Sequence, residues 1–446
     1  MRSSQWVERV TRVSRRVLTH LYIPAYHRQA FKRAAIVCGT FVLLALIASA
    51  GFVAPLGFTL RPLSWSEAWL LSVSALTASG TVPFVLIDTL SVAGFAVVVV
   101  LMHVGGIGFM AVVLHQLQRL GVPIFRRRHI PWLNLIGMAL IIEIWVALLL
   151  ALHWRSLNFA SDYLWFLAFF HATNAFTNAG FQMTGSDPAF DAMVQHAVSM
   201  SVVAVAMLLG ALGLPFIVDV STRRRTLPQT IVTATVLTVL LGGSVAGYLL
   251  SPQWNIAHAA DPMPTRFAQA VYSAIAQRTA GLMVFDTPHT LAPTAQLWLF
   301  LSMFVGSAPG AMGGGVSPIT LAIVIAGMRA RLAQENTVML WGQRVAPILV
   351  RRAGWIAVAG VVVVLVVTAL LVWWLGVEAR TALYVAIASF ATVEIPAHTV
   401  TTLPINAWYL LTGAMIWGRV GTFLLVVSIY GRVRPKRISS AKLWLA

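Results

Sequence analysis

The stretch NAFTNAGFQ, residues 174–182, follows a short apolar segment and precedes a long one. Three other stretches stand in the same setting: SALTASGTV (74–82), AIAQRTAGL (274–282) and AIASFATVE (386–394). Their last landmark residues are Gly80, Gly180, Gly281 and Glu394, which lie 100, 101 and 113 positions apart. Self-similarity at a nearly fixed period indicates one structural unit repeated along the chain.

Long apolar runs flank these stretches, and the composition explains what they are. Of the 446 residues, 59% are hydrophobic and 10% are charged, whereas about 25% are charged in a soluble domain. A membrane-spanning helix needs about 20 apolar residues. We therefore predict an integral membrane protein whose spans lie near 34–54, 90–117, 131–153, 192–218, 230–250, 295–326, 354–375 and 407–430.

Each repeat unit contains a span, a short helix, a turn and a second span. The short helices, of about 10 to 14 residues, cannot cross a bilayer, and re-entrant backbone is tolerated only where it is buried or lines water. The predicted fold is an all-α polytopic membrane protein with four repeats of span, re-entrant pore helix and span around a pseudo-fourfold central pore. The predicted segments are a basic cytoplasmic N-terminal segment (1–33), pore repeats 1 to 4 (34–117, 131–218, 228–326 and 354–430) and a cytoplasmic tail (431–446).

The net charge of +18 raises the question of a nucleic-acid partner, and its placement answers it. Of the 31 Lys and Arg residues, 25 fall in five clusters: Arg2–Arg33, Arg119–Arg128, Arg223–Arg225, Arg329–Arg352 and Arg432–Lys442. These clusters lie between the units, which by the positive-inside rule makes both termini cytoplasmic. We expect attraction to anionic membrane lipid and no nucleic acid.

The four turns carry small side chains with hydroxyl or amide groups, and we number them turn 1 (77–80), turn 2 (177–180), turn 3 (278–281) and turn 4 (391–394). Glycine in the left-handed conformation aligns successive carbonyls, and a ring of such carbonyls can replace the hydration shell of a monovalent cation. A single turn of this kind would be explained as a buried connection, but four in register predict an ion filter. The candidate filter residues are Thr77, Ala78, Ser79, Gly80, Asn178, Ala179, Gly180, Thr279, Ala280, Gly281, Thr392, Val393 and Glu394.

The pieces SALTASGTVPFVLIDT, FHATNAFTNAGF, QRTAGL, GSAPGAMGGG and WGRVGTFLL, in this order between about residues 36 and 430, resemble the Trk/Ktr/HKT superfamily of potassium transporters. The likeness is to the bacterial TrkH/KtrB-like membrane subunits in particular. The resemblance implies potassium as a substrate moved inward, no cofactor in this chain, and a bacterial inner (plasma) membrane location. It also implies a homodimer and a cytoplasmic ring of nucleotide-binding regulatory subunits.

The run GSAPGAMGGGVSP (306–318) holds five glycines and two prolines, so it cannot be continuous helix. It is either a kink or a loop, and the resemblance implies a gate below the filter that uses Gly310, Gly313, Gly314 and Gly315. Family members commonly have a lysine after the glycines, where this chain has Ser317 and Pro318.

Charged and polar residues inside the predicted spans are functional candidates by default. Arg419 lies near the centre of 407–430, and it either caps carbonyls of a broken helix or, as the resemblance implies, acts as an electrostatic barrier in the ion pathway. Glu143 lies mid-span and requires a partner. We expect Gly105 and Gly106 to mark close helix packing. We expect His171 and Asn174 to hold turn 2 from behind, Arg278 to brace turn 3, and Asp88 to face the outer vestibule.

A membrane enzyme is disfavoured because Asp88 and Asp219 lie near helix ends and form no mid-span catalytic pair. An inverted-repeat antiporter would alternate the orientation of its repeats. The charge clusters instead give all four repeats the same orientation. The remaining alternative is a family member with altered selectivity, for sodium or sensitive to protons, or a non-conducting regulatory one. This alternative rests on Glu394, for which three explanations are open. The residue is strained at positive φ, its carboxylate points at the pore axis, or the alignment of turn 4 with the other turns is wrong by a residue or two.

Overall fold

The computed structural model describes residues 25–119, 131–159, 163–182, 196–221, 228–282 and 291–421. These residues are mostly helical. The predicted N-terminal segment through residue 24, the cluster Arg223–Arg225, most of Arg119–Arg128 and the tail lie outside the described residues. The elements are α1 Ala25–Val53, α2 Trp65–Thr77, α3 Leu86–Thr89, α4 Val92–His103, a π-helical turn Val104–Gly108, α5 Phe109–Arg119, α6 Trp132–Ser156, α7 Leu164–Phe176, α8 Ala197–Ser221, α9 Pro228–Leu250, α10 Pro252–Ala257, α11 Met263–Thr279, α12 Pro293–Phe304, α13 Pro318–Leu332, β1 Val338–Leu340, β2 Gln343–Val345, α14 Pro347–Trp373, α15 Ala379–Ala391, α16 Ala397–Thr402, α17 Ile405–Ile416 and a second π-helical turn Trp417–Gly421.

Within the described ranges, six helical segments are long and apolar enough to cross a membrane: Ala35–Val53, Val92–His115, Leu133–Ser156, Ala197–Ser221, Pro228–Leu250 and Pro347–Trp373. The two other predicted spans are interrupted. The run 295–326 divides into α12 and α13 around the glycine-rich loop, and the run 407–430 passes from α17 into a π-helical turn. The chain is thus a multi-pass membrane protein, as the composition predicted.

The four short helices α2, α7, α11 and α15 each pack against both long helices of their own unit. The second long helix of each unit also packs against the short helix of the next: α4 on α7, α8 on α11, α12 on α15, and α17 back on α2. The last of these contacts joins residues far apart in sequence, for example Trp69 Nε1, which donates to Thr412 Oγ1 at 3.0 Å. The helix packing therefore closes into a cycle.

Local sequence explains why the short helices start and stop where they do. Helix α2 begins with a capping box, in which the Ser64 hydroxyl accepts from the Glu67 amide and the Glu67 carboxylate accepts from the Ser64 amide. Such a box satisfies two of the backbone donors at a helix start. At the other end, Ala78 and Thr392 take the left-handed conformation that terminates α2 and α15.

Antiparallel strands β1 and β2 form a short hairpin between α13 and α14, with Met339 opposite Arg344. Trp341 and Gly342 connect the strands, and both have positive φ, as the tight hairpin turn requires. The hairpin was not anticipated from the sequence, and it places Arg344 beside the ends of two helices.

Candidate cation pathway

The four turns contact one another in a closed ring. A Cβ atom added to Gly80 would lie 2.3 Å from the Ala179 carbonyl oxygen, and one added to Gly180 would lie 1.9 Å from the Ala280 carbonyl oxygen. The Glu394 amide donates to the Ala280 carbonyl at 3.3 Å. Between turns 4 and 1, the Ile395 amide donates to Thr81 Oγ1 at 3.1 Å. The predicted turns are therefore adjacent in space, in the order of the sequence.

Glycine is required at three positions of this ring for two separate reasons. Gly80, Gly180 and Gly281 have φ of 67°, 75° and 81°, a region that a side chain disfavours. Each also lies against a neighbouring turn, so close that a Cβ would overlap its backbone. A substitution at these positions would have to move the adjacent turn.

Turns 1, 2 and 4 share one backbone geometry. Ala78, Asn178 and Thr392 have φ of 54°, 56° and 54°. The next amide in each turn donates five residues back at 2.9 Å: Ser79 to Ser74, Ala179 to Asn174, and Val393 to Ala388. Glu394 therefore occupies the position of Gly80 and Gly180, without a shift in register.

Turn 3 departs from this pattern. Its helix α11 continues to Thr279, and Ala280 stays right-handed with φ −111°. Gly281 is the residue of this turn that takes positive φ, and its amide is the one that donates five residues back, to Ala276. The ring therefore joins three similar turns and one that is tightened by an extra helical residue.

Glu394 is accommodated without backbone strain, because its φ is not positive. Its side chain is buried, with 2% exposed. The Glu394 Cβ lies 2.3 Å from the position of a Cβ on Gly281 and 3.0 Å from that of one on Gly180. Turn 3 is its neighbour in the ring and turn 2 is opposite, so the side chain enters from turn 4 into space between these turns.

Side chains of the short helices hold the turns from behind. The Asn174 amide group donates to the Phe181 carbonyl at 2.7 Å, and its Oδ1 accepts from the Phe181 amide at 2.9 Å. The Tyr272 hydroxyl donates to the Leu282 carbonyl at 3.0 Å. His171 is buried edge-on against Trp154, with ring centroids 5.7 Å apart. Asn174 thus clamps the residue that follows turn 2, as expected.

Close approaches of glycines fix the second long helices against the turns. A Cβ on Gly105, Gly210 or Gly418 would lie 1.7 to 1.9 Å from a carbonyl oxygen of the short helix, those of Leu76, Phe176 and Phe390 respectively. All three carbonyls lie two residues before the left-handed residue of their turn. This packing was expected at Gly105, and the equivalent positions Gly210 and Gly418 were not expected.

The glycine-rich loop between α12 and α13 lies against the ring and contacts two other units. The Ala308 amide donates to the Ala211 carbonyl at 2.9 Å, and the Met312 amide donates to the Gly210 carbonyl at 3.1 Å. The Gly314 amide donates to Thr392 Oγ1 of turn 4 at 2.9 Å.

The loop conformation itself depends on glycine. Gly310 and Gly315 have φ of 74° and 86°. Helix α8 breaks opposite the loop at Gly213, which has φ 77° and ψ 161° and precedes Pro215. The glycine and proline of the sequence GLP (213–215) indicate this break, which was not expected from the sequence.

Arg419 lies in the second π-helical turn and is 3% exposed. Its Nη2 donates to the Gly105 carbonyl of the first π-helical turn at 3.0 Å, and its guanidinium lies 5.7 Å from the centre of the Phe109 ring. Among the described residues, Arg419 Nε and Nη1 have no hydrogen-bond partner. The side chain lines a cavity of about 50 Å³ together with Gly310, Gly313, Gly314 and Gly315. Arg419 therefore bonds a backbone carbonyl and also faces the loop.

Arg278 connects turn 3 to the loop. It is buried on the last turn of α11, and its Nη2 donates to the Gly306 carbonyl at 2.6 Å. The bond ties turn 3 to the residue that begins the loop, and the role of Arg278 in bracing the turn stays a prediction.

Glu143 finds its partner in the first unit. Its Oε2 lies 2.8 Å from Nε2 of His103, the residue that precedes the first π-helical turn. The same oxygen accepts a hydrogen bond from Thr173 Oγ1 at 3.2 Å. The buried carboxylate thus joins α6 to α4 and α7. Asp88 is exposed on α3.

Comparisons with known proteins identify the family to which this architecture belongs. The sequence profile of TrkH, described as cation transport protein, matches residues 132–432. The Ktr system potassium uptake protein B of Bacillus subtilis is 24% identical over 87% of this chain and 91% of its own length. The potassium/sodium uptake protein NtpJ of Enterococcus hirae is 26% identical over 60% of each chain.

Among solved structures, the potassium transporter TrkH from Vibrio parahaemolyticus superposes with a TM-score of 0.71 at 18% identity, over 89% of this chain and 84% of that one. This likeness shows the fold. The profile match covers well over half of the chain. The chain therefore belongs to the TrkH family of cation transport proteins, within the Trk/Ktr superfamily, and is a transporter rather than an enzyme.

Proposed function

We propose that this protein takes up a monovalent cation, potassium in the first place, through a filter formed by turns 1 to 4. The observation that carries the proposal is the ring of contacts between turns far apart in sequence, with Gly80, Gly180 and Gly281 at positive φ. Two relatives bear potassium uptake in their names.

In the proposed pathway, backbone carbonyls of the turns replace the hydration shell of the ion. The ion moves inward down its electrochemical gradient. Moving one charge across 100 mV releases about 2.3 kcal/mol, which concentrates potassium without hydrolysis. The repeat bounds 34–117, 131–218, 228–326 and 354–430 and the pseudo-fourfold axis belong to this proposal.

The proposed gate is the glycine-rich loop together with Arg419. The loop is supported from turn 4 through Thr392 and from α11 through Arg278, so movement of the loop is coupled to the filter. The Arg419 guanidinium places a positive charge beside the loop, where it raises the barrier for a cation and limits leak.

A second candidate function is uptake with altered selectivity, and Glu394 favours it. A carboxylate near the ring adds a charged ligand to a set of neutral carbonyls, which holds a small cation more strongly. Sodium would gain most, since it is smaller than potassium, and tight binding would slow conduction. One relative is named a potassium/sodium uptake protein.

We further propose a homodimer in the bacterial inner membrane, with both termini cytoplasmic and a regulatory subunit ring on the cytoplasmic side. The described part of the cluster Arg329–Arg352 supports that orientation, since positive charge is enriched on the cytoplasmic side.

The test is growth of a potassium-uptake-deficient bacterium at low potassium, combined with potassium and sodium influx. Wild type is compared with Gly180→Ala and with Gly413→Ala. Gly413 lies in α17, where an added Cβ meets no atom within 4 Å, so it is a matched control. Rescue by wild type and Gly413→Ala but not by Gly180→Ala is expected. Failure of wild type to carry either ion, despite normal insertion, would refute the proposal.

A further inference from the structure

Helices α13 and α14 pack closely enough to form the floor of a groove on the outer surface. A Cβ on Gly327 would lie 2.6 Å from Val350 Cγ1. From α13 the groove is lined by residues at helical spacing, Val324, Gly327, Met328 and Arg331, and from α14 by Val350, Arg351, Gly354, Trp355 and Val358. Its volume is about 280 Å³. The lining is apolar, with arginine at one end.

A second cavity, of about 480 Å³, adjoins this groove and shares Gly327, Arg331, Val350 and Arg351 with it. The β1–β2 hairpin closes the far side of this cavity and contributes Arg344 to its lining. Glu335, on the loop before the hairpin, also lines the cavity. This end therefore presents three guanidinium groups and one carboxylate. An apolar channel thus opens directly into a basic pocket.

The three arginines are available for a ligand. Arg331, Arg344 and Arg351 are exposed, and across the described residues none of them forms an ion pair with a carboxylate. Their charge is not neutralised by Glu335, so the pocket carries a formal charge of about +2 when these four side chains are ionised at neutral pH.

The apolar part of the groove is exposed on the surface of the molecule. Met328, Trp355 and Val358 are 55%, 65% and 53% exposed and lie on helices beside or within the span Pro347–Trp373. Arg351 is the fifth residue of that span, so the guanidinium groups lie at its end, where lipid headgroups meet water. In a membrane, the apolar groove would contact acyl chains while the basic pocket reaches the headgroups.

We propose that this groove is a binding site for an anionic phospholipid, with an acyl chain along α13 and α14 and the headgroup phosphate held by Arg331, Arg344 and Arg351. Arginine pairs with phosphate through two parallel hydrogen bonds, and basic pockets between membrane helices are suited to acidic headgroups. The ligand follows from charge complementarity at one end and from the continuity of the apolar lining with the bilayer at the other.

The experiment is native mass spectrometry of the purified full-length protein with phosphatidylglycerol or phosphatidylcholine added in turn. Wild type is compared with the triple variant Arg331→Gln/Arg344→Gln/Arg351→Gln, with the single variant Arg351→Gln, and with Arg329→Gln. Arg329 is exposed on α13 but does not line the groove. It therefore controls for loss of charge alone.

We expect phosphatidylglycerol to bind wild type and Arg329→Gln in preference to phosphatidylcholine. The affinity should fall roughly five-fold for each arginine removed, and about 100-fold in the triple variant. Brominated phosphatidylglycerol should quench Trp355, measured as the difference between wild type and Trp355→Phe. In Arg351→Gln the same quenching should require roughly five-fold more lipid, and this measurement tests the proposal even where the triple variant does not fold.

Equal binding of the two lipids, or equal loss in Arg329→Gln, would overturn the proposal. Displacement of the lipid by millimolar glycerol phosphate would also overturn it, since that result would make the pocket a site for soluble phosphate. Transport is not measured in this experiment, so its outcome is independent of the proposed uptake function.

Discussion

Turns 2 and 4 share their backbone geometry at the left-handed residue and the next amide, and they differ at the following position, Gly180 in turn 2 and Glu394 in turn 4. Asn178 and Thr392 have φ of 56° and 54°, and both turns make the same amide bond five residues back. At the next landmark, Gly180 has φ 75° whereas Glu394 does not have positive φ. A repeat can therefore keep its fold while an acidic residue replaces the glycine at one position.

The largest effect is expected from adding a side chain to turn 2. In Gly180→Ala the new Cβ would overlap the Ala280 carbonyl, 1.9 Å away, so turn 3 must move and the carbonyls lose their alignment. We expect potassium influx to fall more than 100-fold, measured in whole cells with Gly413→Ala as the control. Influx within two-fold of wild type would show that the ring is not the filter.

The clamp behind turn 2 should give the next largest effect. Asn174→Leu removes two hydrogen bonds to Phe181 and leaves the Phe181 backbone groups buried and unsatisfied, at about 1 to 3 kcal/mol each. We expect a lower thermal midpoint of unfolding and a loss of discrimination between potassium and sodium. Asn174→Asp keeps the acceptor for the Phe181 amide and should show about half of the loss. An unchanged selectivity ratio in Asn174→Leu would exclude a positioning role.

A smaller effect is expected at the hydrogen bond between turn 4 and the glycine-rich loop, which is the proposed gate. Thr392→Val removes the acceptor for the Gly314 amide, a bond of net value near 1 kcal/mol, and preserves the side-chain volume. We expect leak flux in the closed state to rise by up to about ten-fold. Thr235→Val, on the exposed face of α9, is the control, and equal leak in both variants would contradict the link.

The smallest effect is expected at the start of α2. Burial alone would raise the pKa of Glu67, but hydrogen bonds from Arg61 and Ser64 outweigh it and hold the pKa below its usual value. Because the folded-state pKa is lowered, the pair stabilises the protein above the unfolded pKa, near 4.3, and this contribution is lost as the pH falls through the folded value.

Glu67→Gln should therefore lower the free energy of unfolding at pH 7 by no more than the value of an exposed ion pair, about 0 to 1 kcal/mol. The difference from wild type should disappear at low pH. A variant that is less stable than wild type by the same amount at every pH would show that the carboxylate charge is not the cause.

Much of this architecture could be predicted from the sequence, because the repeat spacing and the short apolar helices constrain it strongly. The four turns, the break at 306–318 and the burial of Arg419 were all expected. The partner of Glu143 was not, since His103 is 40 residues away and pairing across two helices depends on rotation angles that composition does not encode. The tightened turn 3 also escaped prediction, because QRTAGL has the same order of small residues as TNAGF, while the extra helical residue depends on packing.

The comparison of turns 2 and 4 depends most on whether the Glu394 carboxylate lies in the ion pathway. The direct measurement is potassium and sodium flux through the purified protein in liposomes for wild type, Glu394→Gln and Glu394→Gly. We expect the ratio of potassium to sodium flux to rise in both variants, because removal of the carboxylate leaves a ring of neutral carbonyls. Identical ratios in all three proteins, at normal protein yield, would contradict the assignment of Glu394 to the ion pathway.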